Sequence, residues 1–214
     1  KQILGGGIDW ELNDNQNIDL NIQIYNQDEI GRSKLMNTDT KIFRNNFSLS
    51  YNILTKSNLN VKQSINSNTY SRNYVQIRPW GDLERDDTTN EDYSEYELLV
   101  NKIFGSNEIT AGYEIYNATY KSDRILSGKQ KLRNQSLFAQ YDMSFLNQIS
   151  AIIGLRLDDY SEYSSVLSPR IGFMYRFKEN WKFRTSWGQG FRAPSFMERF
   201  IDWNHVQFNY IVQG

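Results

Sequence analysis

The chain has 214 residues, a net charge of −1 and no cysteine. The near-neutral charge, with Lys and Arg dispersed along the chain, gives no electrostatic basis for binding nucleic acid. The absence of cysteine excludes disulfides, thiolate metal sites and a thiol nucleophile. The mean hydropathy of −0.67 leaves no apolar run of the length a transmembrane helix needs, but membrane-spanning strands alternate in polarity and are not excluded.

Apolar and polar residues alternate along most of the chain, which is the pattern of β-strands. In one such segment Phe43, Phe47 and Leu49 share a face, with Arg44 and Ser48 opposite. No segment keeps a helical period over several turns. The fold class is therefore all-β and antiparallel, with ten predicted strands around residues 8–12, 18–24, 43–53, 59–65, 96–100, 109–115, 137–145, 149–157, 171–177 and 181–191.

The predicted connections alternate between short turns and long polar loops, as in outer-membrane barrels. Aromatic residues cluster beside the short turns, where an amphipathic ring suits a membrane interface. A soluble antiparallel sandwich explains the alternation equally well, but it explains the connection lengths and the aromatic residues less well. The short turns are predicted at 13–16, 55–58, 105–108, 146–148 and 178–180, and the long connections at 27–40, 71–92, 121–131, 160–168 and from 193 onward.

The face opposite the apolar residues is small and polar, rich in Ser, Asn, Gly and Gln. A narrow barrel fills its interior with interlocking side chains, whereas a wide one encloses water or a plug. The polar set therefore favours a wide transmembrane β-barrel, to which this chain contributes about ten strands.

The most specific sequence signal is Gly190-Phe191-Arg192-Ala193-Pro194. It ends a strand that begins near Trp181 and follows a tight turn after a Pro169-Arg170 strand. This arrangement resembles TonB-dependent outer-membrane receptors, whose barrels carry a similar Pro-Arg strand, turn and Gly-Phe/Tyr-Arg-Ala-Pro phrase. The resemblance covers residues 166–200 and is greatest to the cobalamin, colicin I and haem receptor branch. Residues 1–160 resemble the family only in the spacing of their predicted strands.

The resemblance implies a barrel of about 22 strands filled by an N-terminal plug domain. It also implies a location in the outer membrane of a Gram-negative bacterium. We therefore interpret residues 1–214 as a partial β-barrel domain that lacks the plug domain and the C-terminal strands. The expected partners are outer-membrane lipid, TonB acting through the plug domain, and a haem, ferric siderophore or cobalamin ligand, but no nucleic acid.

The phrase itself allows a physical interpretation. Because Gly188 and Gly190 have no side chains, they would leave room on the polar face for a plug domain to approach closely. Pro194 cannot donate to a strand ladder and would end the strand. Arg192 would pair with an anionic group. The simpler alternative is that these residues only shape the exit from strand to loop.

His205, the only histidine, follows this phrase at about the distance at which the resemblance implies a haem-binding histidine. A neutral imidazole is a good axial ligand of haem iron. Tyr210 is a candidate second ligand, and Arg192 completes the set of candidate ligand-binding residues. A loop histidine without a ligand is the alternative interpretation.

A run of carboxylates at Asp82, Glu84, Asp86 and Asp87 is a calcium candidate, because Ca²⁺ takes several oxygen ligands. The spacing does not fit an EF-hand, so a solvated loop is the simpler interpretation. No nucleophile–base pair, phosphate-binding loop or zinc spacing is present in the sequence. We therefore predict a protein that is not an enzyme and needs no cofactor, with haem entering only as a transported ligand.

These features lead to three hypotheses about function. The first is a TonB-dependent receptor for a large scarce ligand, such as haem, a ferric siderophore or cobalamin, with haem slightly favoured. The second is a passive channel of the porin type, which would have no plug or TonB box. The third is a soluble β-sandwich binding module, which recovery in aqueous buffer without detergent would support.

Overall fold

The computed structural model describes residues 1–125, 127–145, 148–178, 180–205 and 210–213. Ten antiparallel strands form one sheet in which every strand pairs with its neighbours in sequence. The predicted all-β antiparallel fold is confirmed, and the ten predicted strands correspond to the ten strands of this sheet. The strands are β1 (Gln2–Asn13), β2 (Gln16–Arg32), β3 (Asn37–Leu54), β4 (Leu59–Ile77), β5 (Leu83–Phe104), β6 (Asn107–Ser122), β7 (Lys129–Phe145), β8 (Ile149–Tyr160), β9 (Val166–Lys178) and β10 (Trp181–Gly188).

Tight turns join successive strands at one end of the sheet, which we call the short-turn end. The turn between β3 and β4 includes Asn58 with φ of 56°, and the turn between β5 and β6 includes Gly105 with φ of 61°. Asn and Gly adopt this left-handed conformation at the lowest cost. The short turns predicted at 13–16, 55–58 and 105–108 are confirmed, whereas those at 146–148 and 178–180 fall partly outside the described residues.

The opposite end, which we call the loop end, differs from the prediction of long polar connections. The strands continue into these stretches and leave shorter connections. The predicted loops at 27–40, 71–92, 121–131 and 160–168 are therefore wrong in length, because the structure has connections at 33–36, 78–82, 123–128 and 161–165.

Cross-strand polar pairs account for the longer strands. Arg32 binds Asp39 across the β2–β3 hairpin at 2.7 Å, and Asn73 Nδ2 donates to Asp86 Oδ1 at 3.1 Å across β4 and β5. Such pairs support a ladder although neither face is apolar. The polarity alternation therefore ends before the backbone pairing does, and the sequence pattern underestimates the strand length.

The two faces of the sheet have the opposite character to those of a soluble protein. The apolar face leaves large side chains exposed, such as Leu137 at 61% and Trp187 at 62%. The polar face carries the buried polar side chains that the structure describes, namely Thr40, Ser50, Ser64, Asp87, Thr89, Ser122, Asn134, Ser136 and Asp158. This inversion is typical of a barrel wall whose apolar face lies in lipid and whose polar face lines the lumen.

The sheet is not closed. Among the described strands, β1 pairs only with β2, and β10 pairs only with β9. This agrees with the sequence-based preference for a wide barrel, since these ten strands form an open wall instead of closing on themselves.

After β10 the chain leaves the sheet and forms α1 (Phe196–Phe200) and a hairpin of β11 (Asp202–His205) and β12 (Tyr210–Gln213). The helix α1 was not predicted, because five residues are too few to show a helical period. Its sequence signal was the Ser195–Glu198 spacing of a capping box. Within the described residues, no helix is long and apolar enough to cross a membrane.

Candidate ligand-binding cavity

The phrase that carries the family resemblance lies just beyond the end of β10. Gly188 is the last residue of the strand and pairs with Arg170. A Cβ added at Gly188 would lie 3.4 Å from the carbonyl oxygen of Pro169, whereas Gly190 has no neighbour within 4 Å of that position. The structure therefore places Gly190 outside the strand. We call residues 190–201 the cap segment, because their side chains contact the polar face at the loop end.

An ion pair and a capping box fix the conformation of the cap segment. Arg192 donates to both carboxylate oxygens of Glu198, at 3.1 and 2.8 Å. Ser195 N–H donates to the same carboxylate at 2.7 Å, and Glu198 N–H donates to Ser195 Oγ at 3.2 Å. The hydrogen bond from Arg192, followed by those from Ser195, lowers the pKa of Glu198 to about 2. Arg192 thus pairs with an anion of its own chain, and its role in ligand binding stays a prediction.

Aromatic contacts dock the cap segment on the sheet. The Phe196 ring stacks on Tyr120 of β6, with centroids 5.5 Å apart and planes at 16°. Phe191 meets Tyr160 of β8 edge-on at 5.6 Å and Tyr163 at 6.2 Å. Stacked and edge-to-face ring pairs are favourable geometries. Phe191, within the phrase Gly190–Pro194, therefore helps to hold the cap segment against the sheet.

Backbone contacts hold the far end of the cap segment. Ile201 forms a β-bridge with Ile125, in the connection after β6. The Asp202 N–H donates to the carbonyl oxygen of Arg124 at 2.9 Å, and the Arg124 guanidinium binds Asp87 of β5 at 2.8 Å. The cap segment is therefore connected to the sheet at both of its ends.

Arg199 of α1 is held by an aromatic and an acidic neighbour. Its guanidinium carbon lies 4.5 Å from the Tyr163 ring centroid and 4.9 Å from that of Phe200. Its Nη2 donates to the Glu162 carbonyl oxygen at 3.4 Å, and its Nη1 lies 3.7 Å from a Glu162 carboxylate oxygen. Cation–π contact of this kind suits arginine, which is weakly hydrated and planar.

A cavity of about 410 Å³ lies between the cap segment and the polar face. Its floor comes from β5 to β8 and its roof from residues 193–200, so it opens on the lumen side of the wall. Six of its described lining residues are tyrosine or phenylalanine. The floor includes Glu91, Tyr116, Tyr120, Asn134 and Tyr160, and the roof includes Ala193, Pro194, Phe196, Met197, Arg199 and Phe200.

A hydrogen-bonded network on β6, β7 and β8 fixes the floor. Arg156 binds Glu114 at 2.5 Å and Asp158 at 3.0 Å. The Ser136 hydroxyl donates to Asp158 at 2.6 Å, and Asn134 Nδ2 donates to Ser136 at 3.0 Å and to Asp158 at 3.3 Å. Because an ionised carboxylate only accepts hydrogen bonds, this network sets the orientation of the Asn134 amide.

The two candidate haem ligands, His205 and Tyr210, belong to the hairpin that follows the cap segment. The backbone of His205 pairs with that of Tyr210 in the β11–β12 hairpin. The hairpin register therefore places the two residues opposite each other, directly after the cap segment. Their side chains lie outside the described part of the structure, so their role as haem ligands stays a prediction.

The four calcium candidates face different partners. Asp82 accepts from the Trp80 indole at 2.5 Å, and Glu84 binds Arg78 at 2.5 Å. Asp86 accepts from Asn73, and Asp87 binds Arg85 and Arg124. Within the residues that the structure describes, no group of three or more His, Cys, Asp or Glu side chains is placed to hold a metal ion.

Sequence reasoning missed the residues that form the cavity. Tyr116, Tyr120 and Tyr160 lie on the polar face, where most other side chains are small. Large aromatic residues at positions that should face the lumen were the available signal, together with the capping box at Ser195. The pairing of Phe196 with Tyr120 had no such signal, because it joins residues far apart in sequence.

A sequence model of the family described as TonB dependent receptor-like, beta-barrel, matches residues 2–214. The chain belongs to this family. The match extends the resemblance seen at residues 166–200 over nearly the whole chain, and it confirms the predicted location in the outer membrane.

Named relatives support the same fold. The iron-regulated outer membrane virulence protein of Vibrio cholerae is 25% identical over 166 residues, which are 65% of this chain and 24% of that protein. The siderophore receptor PirA of Pseudomonas aeruginosa matches with a TM-score of 0.69 at 16% identity, over 90% of this chain and 34% of PirA. A mutant of the ferric enterobactin receptor PfeA from the same species matches with a TM-score of 0.70 at 14% identity, over 91% of this chain and 33% of PfeA. The chain thus spans between 24% and 34% of the length of these proteins.

Proposed function

We propose that this chain forms part of the wall of a TonB-dependent receptor that takes up a ferric siderophore. Membership of the receptor family carries the proposal. The names of the relatives, which include siderophore receptors and an iron-regulated outer-membrane protein, favour iron as the cargo. In the proposed mechanism, the loop end binds the ligand, and TonB acts through a plug domain to release it into the periplasm.

Transport measurements on the full-length gene product test this function. The gene is expressed in a Gram-negative host that lacks its own siderophore receptors and is starved of iron. We expect uptake of radiolabelled iron from at least one ferric siderophore, and loss of that uptake when tonB is deleted. Uptake that persists without TonB would support the passive channel instead, and uptake of cobalamin alone would contradict the iron assignment.

Haem is the second candidate ligand, and the hairpin register of His205 and Tyr210 supports it. An imidazole and a phenol at opposed positions are both known types of haem ligand. Haem titration of the full-length protein would then give a Soret shift that His205→Ala weakens. An unchanged haem affinity in this variant would remove His205 from the site.

A further inference from the structure

Four cationic residues lie together at the loop end of β6 and β7. The register pairs Lys121 of β6 directly with Lys129 of β7. Lys131 and Arg133 follow Lys129 at the period of two that keeps residues on one face of a strand. All four are exposed, and we call them the basic cluster. Neighbouring Cβ atoms at such positions are about 5–7 Å apart, so four positive charges share one small patch.

The basic cluster begins where the apolar face of the sheet ends. On β7 the same face continues from Arg133 through Gln135 to Leu137, which is 61% exposed. Tyr113 of β6 lies opposite Leu137, and its hydroxyl donates to Gln135 Oε1 at 2.7 Å. A tyrosine with its ring beside apolar residues and its hydroxyl on a polar neighbour is typical of a membrane interface.

The height of the basic cluster corresponds to that of lipid headgroups. Arg133 precedes Leu137 by four residues, which is about 13 Å along a strand. Because barrel strands are tilted by roughly 40°, Arg133 lies about 10 Å farther from the bilayer centre than Leu137. The headgroup region of a bilayer begins at the edge of its apolar core, so the cluster lies beside it.

The charges of the basic cluster are not neutralised by the protein. Among the described residues, no salt bridge joins the cluster to a carboxylate. Asp92 of β5 lies opposite Thr119, and Asp159 of β8 accepts from Ser165 Oγ at 2.7 Å. Like charges at directly opposed positions destabilise a strand pair, so an anion from outside the chain would stabilise β6 and β7.

Other cations on the same face have acidic neighbours. Lys41 of β3 lies opposite Asp28 of β2, and Arg32 of β2 binds Asp39 of β3 at 2.7 Å. These pairs neutralise their own charges, whereas the basic cluster places a lysine opposite a lysine. The positive patch is therefore specific to β6 and β7 and is not a general property of the loop end.

We propose that the basic cluster binds the phosphate groups of an anionic lipid in the outer leaflet of the membrane. Short turns lie on the periplasmic side of outer-membrane barrels, so the loop end lies on the outer side. The lipid chains would contact the exposed apolar residues beside the cluster, such as Leu137, while the ammonium and guanidinium groups bind phosphate oxygens. The inference concerns the contact of the wall with lipid and goes beyond the proposed transport function.

A lipid titration of the purified full-length protein tests this proposal. The protein is stripped of lipid in a non-ionic detergent and titrated with lipid A, a glycolipid that carries two phosphates. Native mass spectrometry counts the lipid molecules bound. We expect at least one lipid A to bind about tenfold or more tightly than phosphatidylcholine, because each cation near an anionic surface strengthens binding about fivefold. Equal affinity for the two lipids would overturn the proposal.

Two further titrations identify the part of the lipid that is recognised. Dephosphorylated lipid A keeps the chains without the charges and should bind no better than phosphatidylcholine. An excess of inorganic phosphate should leave most of the lipid A bound, because the free ion lacks chains to contact the apolar face. Binding that survives dephosphorylation, or that inorganic phosphate abolishes, would contradict a site for an anionic lipid.

Variants of the basic cluster locate the site. The combined change Lys121→Gln, Lys129→Gln and Arg133→Gln removes three charges and should weaken lipid A about tenfold or more. Lys131 is left unchanged, because it also lines the cavity under the cap segment. The combined change Lys121→Arg, Lys129→Arg and Arg133→Lys keeps the charges and should bind lipid A as the unaltered protein does. Unchanged affinity in the first variant would overturn the proposal.

A matched control removes three charges from the same face outside the basic cluster. Arg32→Gln and Lys41→Gln lie at the loop end of β2 and β3, and Lys102→Gln lies at the short-turn end of β5. This combined variant should bind lipid A as the unaltered protein does, and folding of every variant is checked by its heat-dependent mobility on gels. Equal weakening by the control would show that affinity follows net charge alone and would contradict the assigned position.

Discussion

The two ends of the sheet are stabilised in different ways. Toward the short-turn end, one face is apolar and exposed while the other is polar and more buried, as at Ile153 and Ile171 against Gly154 and Gly172. At the loop end of β2 to β5 most side chains on both faces are polar, and cross-strand pairs such as Arg32 with Asp39 support the ladder. The first arrangement depends on a lipid solvent, and the second on specific partners.

This difference explains why the sequence predicts the strands near the short-turn end but not their continuation at the loop end. Lipid imposes the same requirement on every strand, so each strand repeats the same alternation. The partners at the loop end are set by strand register and by the cap segment, as when Arg124 reaches Asp87. The comparison can be tested by breaking each arrangement in turn, starting with the membrane-facing side.

The largest effect is expected from a charge placed on the apolar face. Ile153 is 49% exposed on that face, near the middle of β8, and Ile153→Arg would put a guanidinium into lipid. The free energy of unfolding should fall by about 2–4 kcal/mol, measured by urea titration of the full-length protein refolded in lipid vesicles.

The adjacent residue supplies a matched control. Ile152 lies on the polar face opposite Asp142, so Ile152→Arg makes the same change at the same depth with a carboxylate nearby. We expect a loss of less than about 1 kcal/mol for it. Equal losses for the two variants would contradict the assignment of the two faces.

The sequence predicted the fold more fully than the site. Alternation alone predicted ten antiparallel strands, because each strand is a local pattern of period two. It underestimated the length of the strands at the loop end. Residues 27–32 and 83–92 remain in strands there, but they are mostly polar and no longer alternate with apolar residues. Pairing of polar side chains across strands carries no local signal.

The candidate site was predicted only in its outline. Gly190 to Pro194 begins the cap segment, of which Ala193 and Pro194 line the cavity, and Arg192 was predicted to pair with an anion. The partner of Arg192 is Glu198, six residues further on, and the capping box that positions it was present in the sequence. The floor residue Asn134 could not be predicted, because it joins the site through strand register.

A smaller effect is expected on the polar face, from removal of Arg156. Arg156→Met would leave Glu114 and Asp158 without their shared cation, and the Asp158 side chain is only 9% exposed. The free energy of unfolding should fall by about 1–3 kcal/mol. Arg32→Met removes the cation of an exposed pair and should cost less than about 1 kcal/mol. The same urea titration measures both variants. A larger loss of stability for Arg32→Met would show that burial of the carboxylate does not determine the cost of removing its cation.

The smallest effect is local and concerns the cap segment. Because the folded pKa of Glu198, about 2, lies below its ordinary value of 4.5, its ion pair with Arg192 contributes stability above pH 4.5. That contribution is lost as the pH falls through about 2.

Pepsin, which is active in acid and cuts beside aromatic residues, should cleave near Phe196 and Phe200 faster as the pH falls across this range. Glu198→Gln should be cleaved there already at pH 4.5, whereas Glu11→Gln, on β1, should behave as the unaltered protein. A cleavage rate at the cap segment that does not depend on Glu198 would show that the aromatic contacts with Tyr120 and Tyr160 hold it without the ion pair.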